Sequence, residues 1–421
     1  MEAADFLDAM GGPVSPAGFP SFMSEDAVEA CRLSLMVMRT QLSAFDTAIG
    51  VRTTVELVDS PFFTCRAKEI TPDHHVITIP LGLVCRFYVL ADLLCGYLLG
   101  SKVMLVLGDV DAEWESLWRL PRGLHPLFGT AGARTDWRKE LEALHSVIRT
   151  PDAAYDVASM TSLALMYVIG HEAAHVYRQH GPQLRAMKDL DVVRTPEDER
   201  YFRRFAETDA DVMATHWTML AQDIGRLTAR EKGWEFSPAT AYFRLSYAVT
   251  ALYALFDAHR KHMGSYVEGI YAHPMVRRQV FSVAGAMTSA VEPETYSMWP
   301  RLEEQGWLHC AFGLNGLNID AAGGKFGQVP KGYNAVPVSS LHYDPRSMPA
   351  LQAAYDREMR FYAVMAACHE GLGVLRMGTA PEAVRFKVPD GRIMAELLEA
   401  GDPAVRAAHA MSLRAEAVRG R

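Results

Sequence analysis

Cysteine is scarce in this chain of 421 residues. Six are present (Cys31, Cys65, Cys85, Cys95, Cys310 and Cys368), and no two form a CxxC pair. A disulfide framework is therefore not expected, and buried free thiols are. Positive charge is also in deficit. The chain has 42 Lys and Arg against 50 Asp and Glu, a formal net charge of -8, which argues against a nucleic-acid binder. Long uninterrupted apolar runs are missing as well. The most apolar stretch, Phe87 to Leu107, is broken by Asp92 and Lys102 and contains Gly96, Gly100 and Ser101. It reads as a buried helix followed by a short strand, not as a membrane span. The segment from Met1 to Gly12 is acidic and lacks the positively charged start of a secretory signal, so the expected compartment is the cytoplasm.

Several chemistries lack their signatures. No Gly-x-Ser-x-Gly elbow occurs. Around Gly323-Gly324-Lys325, Ile319 stands where a phosphate loop needs its first glycine, and Phe326 replaces the Ser or Thr. Cys368 and His369 are sequence neighbours and point apart on a helix, which disfavours a cysteine protease. There is no internal repeat.

What is present is an ordinary globular composition, 49% apolar and 22% charged, long enough for a large core and for two or three domains. Residues 1–24, rich in Gly, Pro and Ala, read as a mobile lead-in. Ser24 caps a helix predicted to run from Glu25 to Ala48. Three β-like runs follow (Val51–Val58, Phe62–Lys68 and Val76–Ile79), predicting a small antiparallel sheet with a helix from Leu81 to Leu99 packed on it. Thr150-Pro151-Asp152 opens a helix whose next stop signal is Gly181-Pro182, with a break along the way. Thr195-Pro196-Glu197-Asp198 opens another, expected to end near Gly225. Further helical stretches are Ala239–Met263 and Ala350–Leu375, and the Gly-rich residues 312–340 between them read as a loop. The expected class is α+β: a mainly helical domain over residues 25–290 with a small sheet near its start, then a C-terminal region, 291–421, of unassigned role.

The motif that carries chemistry is Gly170-His171-Glu172-Ala173-Ala174-His175. Residues four apart share one face of a helix, so His171 and His175 can aim ring nitrogens at one ion about 2 Å away. Glu172 stands beside the first ligand, placed to take a proton from an activated water. The third ligand sets the subclass. A metzincin requires glycine and histidine where this chain has Arg178 and Gly181. His180 lies about half a turn away from His171 on a continuous helix, so it is read as a surface histidine and rejected as a ligand. Glu207 and Asp211 are better placed. They sit four apart in Phe205-Ala206-Glu207-Thr208-Asp209-Ala210-Asp211. Glu207 completes a His-His-Glu site for one zinc ion per chain, and Asp211 accepts the other ring N–H of a histidine ligand. Asp209 is left to a solvated face. A third segment, His273-Pro274 with Arg277 and Arg278, supplies candidates to stabilise an oxyanion or bind substrate.

In this order the three segments resemble the gluzincin peptidases. They are similar to the soluble phage-exclusion peptidases named after Lit and, more distantly, to the HtpX and CAAX-protease family. The residues that carry the resemblance are His171 to His175 followed by Gln179-His180, then Glu207 to Asp211 followed by Ala214-Thr215-His216-Trp217, then His273-Pro274. It spans roughly residues 50 to 285. The family's arginine falls six residues after the histidine, where this chain has Gln279. The resemblance implies a zinc endopeptidase with Glu207 as ligand, acting in phage defence. Its partner is a protein or peptide substrate, paired as a strand along Val76 and Thr78. Residue patterns set neither the substrate sequence nor the oligomeric state. Two other functions fit the pattern: an inactive zinc-holding sensor, and a helical interaction protein acting through residues 291–421.

Overall fold

The computed structural model describes residues 2–15, 17–107, 136–144, 151–231, 237–262, 274–289, 293–321, 348–371 and 403–419. It is mostly helical with one small sheet, so the α+β class stands. The chain divides into two compact units. One takes residues 1–169, 221–266 and 297–343; the other takes 170–220, 267–296 and 344–421. Each is assembled from three separated stretches of the chain.

The first unit holds α1 (Ala3–Ala9), α2 (Glu25–Ile49), β1 (Arg52–Val58), β2 (Arg66–Thr71), β3 (His74–Pro80), α3 (Leu81–Leu107) and α4 (Trp137–Glu142). Ser24 caps α2 by accepting the Ala27 N–H at 3.3 Å, and Gly50 ends it in the left-handed region at φ 70°. The lead-in is not a loose tail. Phe6, Phe22 and Met23 are buried, and the backbone around Gly12 to Val14 hydrogen-bonds to Leu57 and Asp59 at the end of β1. The apolar side chains in this Gly- and Pro-rich stretch supply the reason: they have area to bury.

The sheet is mixed rather than antiparallel. Its order is β1-β3-β2, with β1 parallel to β3 (Val55 opposite Ile77) and β2 antiparallel to β3 (Ala67 opposite Ile77). The tight turn at Pro72-Asp73 reverses the chain between β2 and β3. The longer connection from Val58 to Arg66 places β2 on the far side of β3, so β1 and β3 run the same way. This overturns the expected role of Val76 and Thr78. They lie on the central strand, whose two edges are both taken, and both are fully buried. A substrate strand has no free ladder to join there. The helix after β3 also continues to Leu107, so the stretch read as a helix and then a strand is helical throughout. Buried Arg86 donates to the carbonyls of Pro61 and Gly82 and fixes the connection after β1 to the start of α3.

The other helices are α5 (Pro151–Tyr177), α6 (His180–Asp189), α7 (Pro196–Glu231), α8 (Pro238–His262), α9 (Pro274–Ser289), α10 (Pro293–Ala321), α11 (Met348–Gly371) and α12 (Pro403–Arg419). Thr195 and Asp198 close a reciprocal cap at the start of α7, with Pro196 in the first helical position. In the second unit Phe202 and Phe205 of α7 pack with Phe361, Tyr362 and Met365 of α11 and with Val405, Ala408 and Met411 of α12. Helices α10 and α12 have no counterpart in the sequence reading, and α10 extends into the segment read as a Gly-rich loop. No helix among the described residues is long and apolar enough to cross a membrane. Five of the cysteines are free thiols; Cys31, Cys85 and Cys310 are buried.

Candidate metal centre

The centre is built from the second unit. Two close-packed helical stretches carry it, and a small pair of residues lets them approach. A Cβ on Gly170 would lie 3.2 Å from the Cα of Ala214. With that contact as anchor, the next turn of α5 presents His171 and His175 to Glu207 and Asp211 of α7.

His171 Nε2 lies 3.3 Å from His175 Nε2 and 3.3 Å from Glu207 Oε2, and His175 Nε2 is 3.8 Å from Glu207 Oε1. Ligand atoms held about 2.05 Å from a tetrahedral zinc stand about 3.3 Å apart. Two of these separations match that value and the third is half an ångström longer. Two imidazoles and a carboxylate also form a zinc donor set, so the residues fit the ion. Among the described residues, this is the group of His, Cys, Asp and Glu close enough to hold a metal. The three side chains are 14%, 22% and 19% exposed, sheltered but open to an incoming molecule. Glu172, next to His171, is half-buried.

The charges around the cluster are strongly organised. Burial opposes charge on His171, yet its bonds to Asp211 and Glu207 raise its pKa to about 10. Burial pushes His175 down to about 3. Glu207 is held at about 2, against burial, by His171 and His175. A metal ligand has to be unprotonated, so a cation entering this cluster takes the place of the His171 proton.

Two further shells of polar contacts back the ligands. Asp211, 1% exposed, lies 3.0 Å from His171 Nδ1 and receives two bonds from Arg277, at 2.6 and 2.7 Å. Asp211 thus meets the ring nitrogen of His171 opposite the one that faces Glu207. Arg277, in contrast, is bound to Asp211 and not available for an oxyanion: its guanidinium neutralises a carboxylate that burial alone would disfavour. Arg278 is itself buried. His273 lies outside the described residues, as do residues 322–340 of the Gly-rich segment.

His180 is a correction. It is buried, not on the surface. Its Nδ1 is 2.8 Å from His175 Nδ1, and its Nε2 is 3.0 Å from Asp209 Oδ2. His180 lies half a turn from His171 only on a continuous helix. Instead α5 ends at Tyr177, Gln179 takes the left-handed conformation at φ 54°, and α6 begins at His180. Gly181-Pro182 accordingly lies in the first turn of a helix and does not end one. A proline has no N–H and is tolerated in a first turn, and that is the signal that places the break just before it. Asp209 is the other residue the sequence reading misplaced. It is 1% exposed and accepts bonds from Arg178 Nε at 2.7 Å, Arg178 Nη2 at 3.0 Å and the Tyr362 hydroxyl. One turn back, Glu358 of α11 is fully buried and accepts from Thr208 at 2.9 Å and from Arg204 Nε at 2.8 Å. Tyr362 and Glu358 belong to the C-terminal region, 291–421, whose role the sequence left unassigned.

No protein-family profile, curated protein or solved structure matches the chain. The functional reading rests on the residues and their geometry.

Proposed function

We propose that the chain is a zinc-dependent endopeptidase. The observation that supports this best is the convergence of His171, His175 and Glu207 at zinc-ligand spacing, with Glu172 beside them in sequence. A zinc ion held by these three residues supplies Lewis acidity toward a carbonyl and lowers the pKa of water. The chain's own residues supply the rest. Glu172 accepts a proton from the attacking water at its carboxylate and returns it to the leaving amine. Asp211 keeps the His171 ring in one orientation. The three ligands are partly exposed, so an incoming molecule can reach them. Its recognition residues are not those on β3.

Elemental analysis of purified protein beside Glu172→Gln tests this directly. Both forms should carry about one zinc per chain, while the variant loses hydrolysis of a peptide library by about a hundredfold or more. A Glu172→Gln chain that cleaves as fast as wild type sinks the mechanism. A wild type that stays metal-free in excess zinc sinks the metal reading with it.

A further inference from the structure

The second histidine ligand is supported by an imidazole rather than a carboxylate. Asp209 is buried and paired with the Arg178 guanidinium, which donates to it at 2.7 and 3.0 Å. An ionised carboxylate only accepts hydrogen bonds, so His180 Nε2, 3.0 Å away, is the donor. The opposite nitrogen of His180 faces His175 Nδ1 at 2.8 Å. One of these two nitrogens carries the proton. If His180 carried it, His175 would have to hold its own proton on Nε2, the atom that faces His171 and Glu207. A protonated nitrogen cannot bind a metal. With the proton on His175 Nδ1, every contact is satisfied and Nε2 presents a lone pair to the cluster.

We propose that His180 is a positioning residue: it accepts the Nδ1–H of His175, and Asp209, clamped by Arg178 and Tyr362, fixes it in that role. The relay Asp209–His180–His175 thereby selects the tautomer of the second ligand. This inference rests on the metal reading above. It adds that His180, rejected as a ligand, sets the affinity of the site without touching the ion.

The test is zinc affinity of the full chain, by competition with a chromophoric chelator, in wild type, His180→Ala and His180→Gln. We expect one zinc per chain in all three. Affinity should fall about 10- to 100-fold in His180→Ala, with His180→Gln in between, because its amide oxygen can accept the same N–H. Binding by His180→Ala within twofold of wild type overturns the positioning role and leaves the zinc site intact. Absence of zinc uptake by wild type overturns both. Should His180→Ala fail to fold, nitrogen NMR of histidine-labelled, zinc-loaded wild type decides. A proton on His180 Nε2 with a bare Nδ1 supports the relay, and a proton on His180 Nδ1 overturns it.

Discussion

His171 meets its carboxylate directly, whereas His175 reaches one only through a second imidazole. In both arms the carboxylate is buried and neutralised by an arginine making two bonds, Arg277 on Asp211 and Arg178 on Asp209. The arms differ in what else holds that carboxylate. Asp209 also takes the Tyr362 hydroxyl and His180, and Asp211 also takes His171. A buried ion pair contributes little net stability, but breaking one leaves an uncompensated charge. The two histidines of one short motif are thus contacted by residues far apart in the chain, through two different arrangements.

The largest effect should come from removing the guanidinium paired with Asp211. Arg277→Met is expected to cost about 3–5 kcal/mol of unfolding free energy, read by urea denaturation. Arg178→Met should cost less, about 1–3 kcal/mol, because Tyr362 still donates to Asp209. If the two variants cost the same, the inequality of the arms is lost.

Next in size is Asp211→Asn. It keeps the side chain's shape but weakens the bond that orients His171, so zinc affinity should drop about 10- to 100-fold, measured by chelator competition on a folded chain. An unchanged affinity would mean that His171 needs no such support.

A pH dependence sharpens the picture. Both Asp209 and Asp211 titrate in the folded chain below the ordinary aspartate value of about 3.9. A depressed folded value means that their stabilising contribution is complete above about pH 4 and is lost as pH falls from there through the folded values. Wild type should therefore lose stability below pH 4 more steeply than Asp209→Asn, which has one such group fewer. Parallel curves down to pH 2 would remove Asp209 from the account.

The smallest effect is expected from Tyr362→Phe. One hydroxyl donor is removed, Arg178 still neutralises Asp209, and stability should fall by about 1 kcal/mol. Calorimetry reads this change, and the zinc content should stay at one per chain. A loss of zinc would give Tyr362 a larger role than one hydrogen bond.

Where the sequence carried the site, it did so through spacing. His171 and His175, and separately Glu207 and Asp211, stand four apart on helices, and helical period alone puts each pair on one face. The caps at Ser24 and at Thr195-Pro196 were legible for the same local reason. The sheet was only half legible. Its three runs were visible, but which strand lies in the middle depends on connection geometry, and that decision removed Val76 and Thr78 as docking positions.

The chain's residue order thus determined which side chains share a helical face, because that follows from spacing alone and needs no tertiary information. Tertiary structure decided everything that steadies them. The break at Gln179 turns His180 inward, and packing against α11 brings Tyr362 to Asp209. Burial then converts Asp209 from an expected surface acid into the anchor of a relay. Such roles depend on which distant segments meet in a low-dielectric interior, and nothing in the local spacing of Asp209 or His180 reports that meeting.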